Sequence, residues 1–99
     1  MGQRVELHQI LEALAPNVYF QPPTNVQLKY PCIVYKRDFA TTFFADNDPY
    51  KQTLRYMVTV IDRDPDSAIP AKVAALRMSS FNRFFTADEL NHDVYVVYF

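Results

Sequence analysis

Apolar residues recur at helical spacing in two stretches of this chain and at strand spacing in four or five others. Leu7, Ile10, Leu11 and Leu14 fall at offsets of 0, 3, 4 and 7, one stripe on a cylinder, within a helix predicted over residues 4–14. Arg4, Glu6, Gln9 and Glu12 occupy its other faces. Pro16 stops this helix, because the residue before a proline is pushed out of the α region. A second helix is predicted from Ile69 to Met78. Pro70 suits its first turn, where the missing N–H is not needed, and Ser67 or Asp66 is placed to cap it. Ile69, Val73 and Leu76 form its apolar stripe.

The strand signals lie between and after these helices. Val18-Tyr19-Phe20 reads as a short strand, followed by an extended loop through Gln21-Pro22-Pro23-Thr24-Asn25, since two consecutive imides lack donors. Pro31 to Lys36 is a strand with Ile33 and Tyr35 on one face and Cys32 and Val34 on the other. Both faces are apolar, so it is central or covered on both sides. Thr41 to Ala45 is β-prone, residues 46–49 (Asp-Asn-Asp-Pro) are turn-like, and Gln52 to Asp62 is a long strand. Together they predict a projecting hairpin at about residues 39–53. In its second strand Leu54, Tyr56, Val58 and Val60 are expected to face the core. Ser80 to Thr86 is the next strand, with Phe81, Arg83 and Phe85 on one side and Asn82 and Phe84 on the other. A six-residue link, residues 87–92, leads to a final strand from Asp93 to Phe99, and the pair is expected to be antiparallel. The expected fold is one α+β domain over residues 1–99: a mostly antiparallel sheet of four to five strands with two helices packed on one face.

Composition narrows the function classes. The 99 residues are 49% hydrophobic and carry eight Phe and seven Tyr, which is not a disordered composition. A net charge of -1 draws the chain neither to nucleic acid nor to an anionic membrane. No apolar run approaches the length of a membrane-spanning helix, and residues 1–11 lack the apolar segment of a signal peptide. A single cysteine, Cys32, excludes an internal disulfide and fits a cytosolic site of synthesis.

No self-contained catalytic site is legible. Asp62, Asp64 and Asp66 alternate after a strand and could offer oxygens to a hard cation. As an EF-hand loop, though, the pattern has Ser67 where glycine is needed and Val73 where the bidentate Glu belongs, so a solvated turn is the plainer reading. His92 and Asp93 lie near Asp88 and Glu89, and His8 and Cys32 are the remaining soft ligands. No zinc spacing links them. Cys32, between Pro31 and Ile33, reads as a small buried residue rather than a nucleophile. One glycine, Gly2, leaves no phosphate-cradling loop, and no GxSxG elbow is present. The chain is therefore read as no enzyme, with no catalytic, cofactor-binding or metal-ligating residue expected. Tyr19, Phe20, Tyr30, Tyr35, Phe39, Phe43, Phe44, Tyr50 and Tyr56 crowd the first half. Core packing takes many of them. Fifteen aromatic side chains nevertheless exceed what a core of this size comfortably hides, so a protein partner is expected.

The chain resembles the tail completion or tail terminator proteins that join heads and tails in long-tailed bacteriophages of Gram-positive bacteria. The likeness rests on the opening helix, Val18-Tyr19-Phe20-Gln21-Pro22-Pro23, Lys29-Tyr30-Pro31-Cys32-Ile33-Val34-Tyr35, the run from Tyr56 to Ser67, the helix from Pro70 and the closing Asn91-His92-Asp93-Val94-Tyr95. The resemblance implies a structural virion protein, made in the host cytoplasm. It implies assembly with itself into a ring, typically a hexamer, between the major tail tube protein and the head connector or stopper. Family members use a long hairpin in ring contacts, which points here to about Phe39 to Thr53. On this reading Phe43, Phe44, Asp46, Tyr50 and Arg55 make subunit contacts, and Arg63, Asp64 and Asp66 form an outer polar surface. Neither nucleic acid nor membrane is an expected partner. The alternatives are another connector or adaptor of the neck, a small metal-binding module or enzyme using the Asp62–Asp66 loop, and a nucleic-acid module.

Overall fold

The structure, a computed structural model, describes residues 3–45, 48–76 and 79–98; for Gln3 and residues 39–54 it describes the backbone. Helix α1 (Gln3–Glu12) is followed by strand β1 (Val18–Phe20), the long strands β2 (Cys32–Ala45) and β3 (Asp48–Asp62), helix α2 (Ile69–Ala74), and strands β4 (Ser79–Ala87) and β5 (Leu90–Tyr98). The strands form one sheet in the order β1-β2-β3-β5-β4. β1 runs parallel to β2, and every other pair is antiparallel. The fold is thus α+β, with a mixed, mostly antiparallel five-stranded sheet and two helices packed on it.

Alternation along the strands sets the core. Ile33 and Tyr35 of β2, Tyr56, Val58 and Val60 of β3, and Tyr95 and Val97 of β5 share one sheet face. Leu7, Leu11 and Ala15 from the first helical segment and Ile69 and Val73 from α2 close over it. The expected Tyr56-Val58-Val60 face is the core face; the Leu54 side chain lies outside the described residues. Tyr35 is the central side chain. Its ring meets Phe20 at 4.9 Å and Tyr56 at 6.1 Å between centroids. Arg4 Nη1 donates to its hydroxyl at 3.3 Å, and His8 Nδ1 shares a hydrogen bond with the same hydroxyl at 2.6 Å. The other ring nitrogen of His8 faces Glu12 at 3.7 Å. This polar seam fixes α1 to the sheet while the stripe beneath it is dry. Burial raises the Tyr35 phenol pKa, with Arg4 opposing in part.

Several boundaries differ from the sequence reading. β2 is one strand where two were expected. A register shift between Arg37 and Phe39 absorbs Asp38 as an extra residue, letting the strand pass through the charged Lys36-Arg37-Asp38. Asp48 and Pro49 belong to β3 rather than to the turn; Asp46 and Asn47 lie outside the described residues. α2 ends at Ala74, with Ala75 as its C-cap, short of the predicted Met78; Arg77 and Met78 lie outside the described residues. Its N-cap is Ala68, and the Ile69 N–H reaches Ser67 Oγ at 3.3 Å, whereas Asp66 does not cap it. The expected six-residue β4–β5 link is a two-residue turn. Asp88 and Glu89 have φ of 51° and 63°, the left-handed pair a type I′ hairpin requires.

Candidate functional site

Two features of the sheet are left open: its β4 margin and the far end of the β2–β3 hairpin. β4 is exposed along nearly its whole length. Phe81, Phe84 and Phe85 are 57%, 53% and 37% exposed. The cause is geometric. α2 has six residues and spans about 9 Å, whereas the nine residues of β4 run for about 30 Å, so the helix shields little of it. The rings leave on the order of 300 Å² in water, or about 7 kcal/mol of unrealised burial at roughly 25 cal/mol per Å².

The face assignment within β4 also departs from simple alternation. The register jumps between Phe81, opposite Tyr95, and Arg83, opposite Val94, so Asn82 is an inserted bulge residue. Phe81 and Phe84 therefore share the helix-bearing face, and Arg83 and Phe85 share the other. Phe81 meets Tyr95 edge-on at 5.5 Å. On the reverse face Phe85 stacks on His92 at 4.5 Å with an interplanar angle of 12°, and the Arg83 guanidinium lies 5.4 Å from the Phe85 centroid. The sequence reading, which counted strict alternation, set Phe84 apart from Phe81. It also looked for surplus aromatics in the first half. The usable signal was the run Phe81-Asn82-Arg83-Phe84-Phe85, which strict period two cannot place.

The hairpin projects because its neighbours stop. Among the described residues, β1 pairs with β2 from Ile33 to Tyr35, and β5 pairs with β3 as far as Arg55. Gln21 ends the β1 pairing: at φ 44° it turns the chain away, its N–H donates to Tyr35 O at 2.9 Å, and its Oε1 accepts from Arg37 N at 3.2 Å. Beyond that point residues 39–45 and 48–54 pair with each other, an arm of about 23 Å. The long axis of the molecule is accordingly 49 Å against 25 and 22 Å, and its radius of gyration is 14.5 Å, above the about 13 Å of a compact chain this long. At the arm's base Arg55 meets Asp38 through Nη2 at 2.7 Å and Nε at 3.0 Å. Hydrogen bonds to Tyr98 and Asp38 raise the Arg55 pKa.

Of the residues expected at subunit contacts, Phe43, Phe44 and Tyr50 are backbone positions of the arm whose side chains lie outside the described residues. Asp46 lies outside them entirely, and Arg55 is engaged within the subunit as just described. Arg63, Asp64 and Asp66 are exposed on the loop after β3. There Asp62 Oδ1 accepts from Asp64 N and Asp64 Oδ1 from Asp66 N, each at 2.9 Å, two successive Asx turns that use the carboxylates on the local backbone. Among the described residues no group of three His, Cys, Asp or Glu converges. Beside this loop lies an open cleft of about 700 Å³ between residues 26–31 and Asp62, Arg63 and Asp64. Its walls carry both charge signs, with Arg63 5.9 Å from the Tyr30 ring centroid.

The remaining chemical candidates are spent structurally. Cys32 is fully buried, and desolvation, aided by Asp62, pushes its thiol up to about 11, away from nucleophilic use. His92 Nδ1 lies 3.1 Å from Leu90 O, and its ring is held against Phe85. Desolvation raises the pKa of Asp93, with His92 opposing. Among the described residues no helix is long and apolar enough to cross a membrane. Comparison with protein-family models, curated proteins and solved structures finds no match.

Proposed function

We propose that this chain is a structural assembly protein whose hairpin arm reaches a neighbouring copy and closes a homo-oligomeric ring. The observation that carries this reading is the arm itself: among the described residues, two strands pairing only with each other, with a row of backbone donors and acceptors along each outer edge. Such edges pair readily with another chain, and an arm that contacts a different surface of the next copy makes a heterologous contact, which gives a ring where the rotation closes. The resemblance in the segments from Val18 to Pro23, Lys29 to Tyr35 and Tyr56 to Ser67 supports the virion setting. The ring caps the tail tube of a long-tailed phage and joins it to the head connector. Its action is geometric, and no catalytic residue is assigned to it. The tail tube protein and the connector are the partners.

The test is negative-stain microscopy of phage tails assembled without this chain and then given it back. Irregular tubes that regain uniform length and attach to heads support the reading. A full-length chain with residues 40–53 replaced by a two-residue turn should stay folded and fail to restore them. Tubes unchanged by the loss overturn it. Binding to portal rings but not to tail tubes moves the chain to another position in the neck.

A further inference from the structure

The β4 margin is a second open edge, independent of the arm, and its side-chain pattern matches itself. We infer that two copies of this chain pair antiparallel through β4 about a two-fold axis, joining their five-stranded sheets into one continuous sheet.

The bulge at Asn82 is what permits this. In a regular strand, two-fold pairing opposes only residues an even number apart, so Phe81 and Phe84 would never face each other. With Asn82 inserted, both lie on the helix-bearing face, and a two-fold centred between Asn82 and Arg83 sets Phe81 opposite Phe84 of the second copy and Phe84 opposite its Phe81. The same register keeps every other pair on a common face: Ser79 with Thr86 on the helix side, Ser80 with Phe85 on the reverse. Asn82 meets Arg83, so the extra residue of each strand sits against that of its partner and no residue is left over. Four rings then gather beside the two copies of Tyr95, which Phe81 already touches edge-on.

Three further observations favour a second copy as the occupant. β4 carries one charge, Arg83, and neither Lys nor Pro, so it lacks the usual blunting of an exposed edge apart from the bulge itself. That charge is directed across the Phe85 ring of its own strand. The three rings expose on the order of 300 Å² per copy, or about 600 Å² over two, more than half of the roughly 1,000 Å² a specific interface needs before the other exposed residues of β4 are counted.

The inference is tested on the isolated full-length chain by sedimentation equilibrium between about 1 and 100 µM, with far-UV circular dichroism on every variant. A dimer is expected. Phe84→Lys should be monomeric throughout, while Val26→Lys, at another exposed apolar position (38% exposed), should remain dimeric. Shortening the arm across residues 40–53 should leave the dimer intact, which separates this contact from the proposed ring contact. The register is read on otherwise native chains. An oxidised mixture of Ser80→Cys and Phe85→Cys chains should give a covalent dimer that neither gives alone, with buried Cys32 silent. A monomeric wild type, a dimer indifferent to Phe84→Lys, or cross-linking equal in the unmixed samples would overturn the proposal, even if Phe84→Lys proved misfolded.

Discussion

β4 and β5 lie side by side in one sheet, each carries large apolar side chains, and they end in opposite environments. β5 buries Tyr95 and Val97 on the helix-bearing face and Val94 on the reverse face, between two neighbouring strands. β4 buries none of its residues and leaves three phenylalanines in water. The difference is one of position. β5 has a hydrogen-bonded neighbour on each side, and β4 has one. A Phe is hidden by what stands above and beside it, not by its own hydrophobicity. The strand with the surplus is therefore where contact with another chain has most to gain.

The contrast predicts unequal costs. Tyr35→Ala should destabilise by about 3–5 kcal/mol, because it opens a cavity at the centre of the helix-bearing face and strands the polar seam of Arg4 and His8. Phe84→Ala, measured by urea unfolding at concentrations where the chain is monomeric, should cost less than about 1 kcal/mol, since half of the ring is already wet. Similar costs for the two would show that β4 is packed within its own subunit and would break the comparison. A smaller change sharpens it. Glu89 holds φ 63° in the β4–β5 turn, where glycine meets no Cβ penalty. Glu89→Gly should stabilise by about 1 kcal/mol in the same assay without changing which strand is exposed.

The smallest effect concerns the boundary between the two strands. Asp93 stands opposite Phe84, and its folded pKa is raised above the ordinary carboxylate value, chiefly by desolvation. The folded state therefore holds the proton more tightly than the unfolded chain. The ionised carboxylate weakens the fold above the folded pKa, and stability is regained as pH falls through it toward the unfolded value. Asp93→Asn should raise Tm at pH 7 by about 2 °C or less, because the carboxyl keeps contact with water, and should remove this pH dependence in thermal scans. An unchanged pH profile would mean that water reaches Asp93 as freely as it reaches β4.

Much of the fold was legible because it depends on local spacing. The 3.6-residue stripe at Leu7 and Leu11, the alternation at Tyr56, Val58 and Val60, and the strands around Cys32, Phe81 and Val94 lie where periodicity predicted them. The surface candidates were less legible. Arg63, Asp64 and Asp66 were readable as a polar loop because turn chemistry is local, and Asx bonding explains them. Strict alternation sets Phe84 on the side opposite Phe81, whereas the bulge at Asn82 puts both on one face; only the run from Phe81 to Phe85, which period two cannot place, hints at it.

What the sequence determined by itself is a set of elements and the side each presents, because both follow from backbone geometry within a few residues. The parallel pairing of β1 with β2, the strand order that places β4 at the margin, and the reach of α2 over only part of it were decided in the tertiary structure. Those choices depend on which distant segments satisfy one another's backbone groups and how far a short helix can cover. Neither quantity is written in any single stretch of the chain.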